Sequence, residues 1–367
     1  MKRTRQLNFE ILRIVSMLMI VTLHYLDKGG ALTKVTEEFS VNSYVACLVG
    51  AFCIMSVNLY VLITGYFSSG TSFSIKKIGR IWGQVLFYSI VIGGIALAIG
   101  MQDFDIYAIF RYVFPVSTEH YWFATEYLLL CILMPFLNAG FEKMEQKTVL
   151  KVIGLLLLIC AVAKTFIPMR LPSDQLGYDV LWFVCIYLTG AYIREYRISL
   201  IKRRRNGLIL GVVCGVAIFA SMFVLREIYI RTGRFENLIS YAYSYNHLLC
   251  YVGSVGLFIA CDKRKPGAED WDSKVGWGKR LIYKVAGATF GVYLIHEHWN
   301  IRYLWPQWFA SGEYVNAPLG IFVLHMVFAV LIMFCVCTLI ELLRQKMFLF
   351  IGQKWIVKER KHVENQK

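Results

Sequence analysis

Apolar residues recur in runs of about twenty along the whole chain, separated by short polar connections. Each run is long enough to cross a hydrocarbon core of about 30 Å as a helix. The pattern predicts ten spans, near residues 7–26, 43–64, 79–99, 121–140, 149–167, 178–196, 207–226, 241–260, 282–300 and 317–340. No polar stretch between them is long enough to fold separately. The expected fold is therefore all-α and polytopic, with residues 1–345 as one integral membrane domain and 346–367 as a short basic tail. The start, Met-Lys-Arg-Thr-Arg followed by an apolar run, imitates a secretory leader. No small-residue cleavage site follows it, so the run is kept as the first span.

Composition sharpens this picture. Of 367 residues, 57% are hydrophobic and 17% charged, and mean hydropathy is +0.54. These values exclude a disordered chain and an ordinary soluble enzyme, in which about a quarter of residues are charged. The ten cysteines lie mostly inside predicted helices without metal-type pairing, so they are expected to be small core residues, with no disulfide framework and no metal site.

The net charge of +15 could mean nucleic acid or membrane topology, and its distribution decides. Alternate connections hold most of the Lys and Arg, with the largest clusters at Arg194 to Arg205 and Lys263 to Lys265. That bias predicts a multi-pass membrane protein with both termini in the cytoplasm, with the bilayer and not nucleic acid as its partner.

Ionisable side chains within spans are costly and serve as default functional candidates. In the first span Arg13 and His24 are eleven residues apart, which is within about 20° of three full helical turns, so they share a face about 16 Å apart. The structural alternative pairs Arg13 with Glu10 one turn away and leaves His24 as an interfacial histidine. After span 2, Lys76, Lys77 and Arg80 open the next helix, where cations can hold phosphate oxygens or simply anchor the cytoplasmic side. The external ends gather Glu119, His120, Trp122 and Glu126, then Tyr243, and then His296, Glu297, His298, Trp305 and Trp308. Aromatic residues at this depth form a membrane belt. Acids and imidazoles among them need a watery cavity or partners.

These residues resemble the acyltransferase-3 group of integral membrane acyltransferases. The resemblance begins at Phe9-Glu10-Ile11-Leu12-Arg13 with His24 and continues through Gly65-Tyr66-Phe67 and the Lys76 to Arg80 segment. It then takes in Tyr121-Trp122-Phe123, Pro135-Phe136-Leu137, Ser244-Tyr245-Asn246 and the segment from Thr289 to His296. The chain departs from the family pattern at Lys77, where a second arginine is common, and at Asn246-His247, where a Ser-Pro pair is common.

The resemblance implies about ten helices and transfer of an acyl group, commonly acetyl, from cytoplasmic acyl-CoA to a carbohydrate or glycolipid acceptor at the outer face. It makes His24 the expected catalytic residue; of the acids at the external ends, Glu297 or Glu126 is expected to orient its imidazole, and the sequence does not choose between them. Arg13, Lys76, Lys77 and Arg80 are expected to hold the CoA donor. Trp122, Tyr243, His296 and Trp305 are expected to bind the acceptor. Many relatives carry a further extracytoplasmic domain after the spans, whereas this chain ends shortly after span 10, so acylation is expected directly at the membrane domain or through a separate protein. The main rival is a secondary transporter exporting a small polar substrate, against which stands the lack of an internal repeat.

Overall fold

The structure is a computed structural model that describes residues 5–32, 40–71, 74–166, 175–196, 204–234, 239, 241–262 and 276–364. The basic residues Arg197, Lys202, Arg203 and Lys263 to Lys265 lie outside the described residues. Among the described residues the chain is helical throughout, without strands.

Each predicted span overlaps a helix. In chain order these are α1 (Leu7–Lys28), the consecutive α2 (Val41–Cys53) and α3 (Ser56–Ser68), α4 (Ile75–Ala98), α5 (Ile106–Val113), α6 (Trp122–Lys143), α7 (Gln146–Leu157) and α8 (Ala163–Phe166), with one π turn, Leu158–Val162, between the last two. There follow α9 (Val180–Tyr196), α10 (Arg204–Thr232), α11 (Leu248–Cys261), α12 (Trp277–His296), α13 (Leu304–Trp308), α14 (Ser311–Tyr314) and α15 (Leu319–Glu364). Among the described residues six helical runs are long and apolar enough to cross a membrane: Leu7–Lys28, Val41–Ser68, Ile75–Ala98, Trp122–Lys143, Arg204–Thr232 and Leu319–Ile351. This length and composition make the protein a multi-pass membrane protein.

Two boundaries and one short helix differ from the sequence reading. Residues 242–247 leave the helical conformation in turns, so the long helix expected from 241 starts at Leu248. The last helix continues past 340 to Glu364, because no Gly or Pro stops it beyond Leu339 until Gly352, and a lone Gly is tolerated. The eight-residue α5 was not anticipated, being too short to read as a span.

At the centre, α1, α3, α9 and α12 pack closely. On α3 a Cβ at Gly65 would stand 2.2 Å from the Tyr187 carbonyl oxygen of α9, and one at Gly190 would stand 2.4 Å from the Leu62 carbonyl oxygen. Small residues thus let the two backbones meet, the usual device where lipid removes the hydrophobic drive between helices. Asn58 strengthens the same contact region, receiving the Trp182 indole N–H at 3.0 Å and donating to the Tyr245 carbonyl at 2.9 Å. Peripheral helices such as α4, α10 and α15 instead turn large apolar side chains outward, as lipid-facing helices do.

Candidate active site

Helical periodicity puts Arg13, Met17, Ile20 and His24 on one stripe of α1, at steps of four, three and four. Three of these, Met17, Ile20 and His24, line a narrow cavity with Val57 and Tyr60 of α3, Trp122 and Phe123 of α6, Tyr245, and Phe290 and Tyr293 of α12. Tyr60 also donates its hydroxyl to the Arg13 carbonyl at 3.0 Å. The cavity wall therefore runs from His24 toward the backbone that carries Arg13.

Beyond the cavity, His24 meets the end of α12. Its Nδ1 lies 2.8 Å from Glu297 Oε2 and 3.0 Å from His296 Nε2. The His296 Nδ1 is 2.7 Å from the Val292 carbonyl, which can only accept. His296 must therefore carry its proton on Nδ1 and present a lone pair at Nε2. It follows that His24 donates from Nδ1, to Glu297 and His296, and a neutral His24 holds its free lone pair on Nε2. Glu297 is 4% exposed. It also binds the Lys28 ammonium, and Arg302 Nη1 stands 3.6 Å from its Oε1. One carboxylate thus fixes the imidazole and balances two cations, which a buried charge requires.

His24, His296 and Glu297 offer three donor atoms within 4.8 Å of one another, a set that could hold a metal ion. In this arrangement the three also contact each other, and Lys28 binds the same carboxylate.

The structure separates the other residues singled out above. Glu126 stands against the start of α9, near Asp179 and Glu119 and bonded to the Val180 backbone, without contact to His24. Trp122 lines the cavity and stacks on Tyr245 at 5.5 Å. Tyr243 is turned away, giving its hydroxyl to the Cys47 carbonyl. His296 and Trp305 are both fully buried, with Trp305 behind His296 at 6.4 Å between rings.

At the opposite end of α1 Glu10 is buried between two arginines. Arg5 grips it with bonds of 2.9 and 2.8 Å, and Arg13 Nη1 stands 3.3 Å from both its oxygens. The pairing of Arg13 with Glu10 is thus real, and a second guanidinium shares it, leaving an excess positive charge. Lys76, Lys77 and Arg80 are exposed in the first turns of α4, whose start Ser74 caps by accepting from the Lys77 backbone N–H. Asn138 pins the preceding turn by donating to the Ser68 and Thr71 carbonyls at 3.1 and 3.2 Å. Among the described residues no contact joins this basic group to Arg13, although both lie at the same end of the helical array, since Arg13 rests over Phe67 at the end of α3.

The residues at the His24 end include one group that sequence reasoning named without assigning a role. His120 precedes α6 and is 1% exposed; its Nε2 accepts the Trp299 backbone N–H at 3.2 Å. Burial, helped by His298, Arg111 and Arg302, lowers its pKa to about 2, so it stays neutral.

A multi-span helical protein with a histidine–glutamate pair buried beside a cavity is the class these features define. The family model for the acyltransferase-3 group, described as an acyltransferase domain, matches residues 6–342, and the chain belongs to that family. No curated protein and no solved structure matches the chain.

Proposed function

We propose that the protein is a membrane O-acyltransferase that moves an acyl group, acetyl by preference, from acyl-CoA bound at the Arg13 end to a hydroxyl of a carbohydrate or glycolipid acceptor at the His24 end. With the Arg13 end cytoplasmic, the donor comes from inside the cell membrane and the acceptor from outside. The observation that carries this reading is the His24 Nδ1 to Glu297 Oε2 contact of 2.8 Å, made by a histidine that also lines the cavity.

That contact orients the imidazole as a general base. A carboxylate on Nδ1–H fixes the tautomer and stabilises the imidazolium that forms when Nε2 takes a proton. The acceptor hydroxyl loses its proton to Nε2 while its oxygen attacks the thioester carbonyl. The C–S bond then breaks, and the departing CoA thiolate takes the proton back from His24. The Tyr293 hydroxyl, buried beside the Phe123 backbone, lines the same cavity and can donate to the developing oxyanion. At the other end the donor is anchored by Arg13, and by Lys76, Lys77 and Arg80 at a helix N-terminus that favours phosphate. Trp122 offers an aromatic face for the acceptor sugar.

The test is consumption of radiolabelled acetyl-CoA by the purified protein. His24→Ala, properly folded, should lose transfer by two to four orders of magnitude; retention of wild-type turnover would refute the role. The same assay separates this reading from a transporter, which has no reason to cleave the thioester.

A further inference from the structure

The loop after α12 and the small helix α5 bring together polar groups that the chemistry above does not use. The Arg111 guanidinium lies 3.6 Å from the Trp299 ring centre and that of Arg302 lies 4.4 Å from it. No carboxylate among the described residues pairs with Arg111, which otherwise rests against Tyr107. Among the described residues the one carboxylate that Arg302 approaches is Glu297, at 3.6 Å and already committed to His24 and Lys28, and its Nε–H is buried without a partner. His120 adds a second such donor: its Nε2 accepts from Trp299, so its proton sits on Nδ1, which is also buried and unpartnered among the described residues. Orphaned buried donors are rare in native proteins and call for an acceptor. Guanidinium forks suit carboxylate and phosphate above other acceptors.

Trp299 remains 41% exposed, so the group is open at its edge. The helix that carries Arg111 also exposes Ile106 and Phe110, and Phe104 is exposed just before it, the pattern of an element lying in a membrane interface, at the depth of lipid and glycolipid headgroups. Through Arg302 and Glu297 the cluster is two contacts from the His24 imidazole.

We propose that Arg111 and Arg302, flanking Trp299, form a binding site for an oxyanion, phosphate or carboxylate, carried by the acceptor close to its reacting hydroxyl. This rests on the acyltransferase reading for the word acceptor, whereas the anion site itself is independent of it. The enzyme then prefers acidic or phosphorylated saccharides to neutral ones of the same size.

The experiment is calorimetric titration of the full chain in phosphatidylcholine nanodiscs with inorganic phosphate, glucuronate and glucose, repeated in discs containing phosphatidylglycerol. Phosphate and glucuronate should bind saturably and glucose should not. Arg111→Gln and Arg302→Lys should each weaken the anions about tenfold or more. If phosphatidylglycerol abolishes the soluble anions' binding, the site stands and a lipid headgroup is its source of anion; if binding persists, the acceptor is the source. Absence of anion binding in phosphatidylcholine discs, or binding unchanged in the Arg111→Gln/Arg302→Gln double variant, overturns the proposal. Thermal unfolding of each variant guards against misfolding, and acetyl-CoA consumption, measured separately with His24→Ala, reports on the acyltransferase reading alone.

Discussion

Replacing Glu297 with Gln keeps the side chain's shape and removes its charge. In the wild type the carboxylate receives His24 Nδ1–H at 2.8 Å and is 4% exposed, so the bond is charge-assisted and little screened. A hydrogen bond to a charged group contributes about 1.5–3 kcal/mol. If that contribution is realised when His24 becomes imidazolium, kcat should fall by about 10- to 150-fold. The donor KM should hold, because Arg13 lies three turns away on the same helix. The substitution also strands Lys28, whose side chain is 8% exposed, and Arg302, at 18%. Breaking a buried pair in this way costs about 3–5 kcal/mol of stability. Glu297→Gln combined with Lys28→Met should recover part of that stability without recovering kcat, since only the stranded cation is relieved. The assay is steady-state transfer from labelled acetyl-CoA, with thermal unfolding in detergent run on the same preparations. A folded Glu297→Gln protein with kcat within about twofold of wild type would refute the reasoning.

Three further outcomes follow from the same geometry. Arg13→Gln should raise the donor KM about tenfold with kcat little changed, because a charged phosphate contact is lost away from the reacting atoms; an unchanged KM would leave Arg13 as a partner of Glu10 only. His120, with its pKa lowered to about 2 from 6.5, refuses a proton that the unfolded chain accepts, so its contribution to stability falls as pH drops below 6.5. Between pH 6.5 and 5 this should cost about 2 kcal/mol, seen as a loss of Tm on acidification that His120→Gln diminishes; equal slopes would contradict it. Incubation with EDTA should leave turnover unchanged, because His24, His296 and Glu297 are held by protons and Lys28, and inactivation reversed by zinc would instead make them a metal site.

The features legible in the sequence are those that repeat on one helix. The common stripe of Arg13 and His24 follows from 3.6 residues per turn, and the cavity does line that stripe. Which acid meets His24 was not legible, because Glu297 is 273 residues away and only the packing of α1 on α12 chooses it over Glu126. Aromatic and imidazole groups near a span end read alike whether they face water or a neighbour. His296 and Trp305 are therefore buried behind His24 although they stand among interfacial residues in the sequence. The eight-residue α5 escaped notice for want of length, and with it the placement of Arg111 against Trp299.

The central claim is that a thioester supplied at the Arg13 end is consumed at His24 by a hydroxyl arriving from the opposite end. Sealed vesicles of known orientation test it most directly, with impermeant labelled acetyl-CoA on one side only and acceptor on the other. Label should reach the acceptor across the membrane when donor is on the Arg13 side, and neither the reverse arrangement nor His24→Ala should support transfer. Transfer that is indifferent to the side of the donor, or that persists in folded His24→Ala protein, would contradict the account.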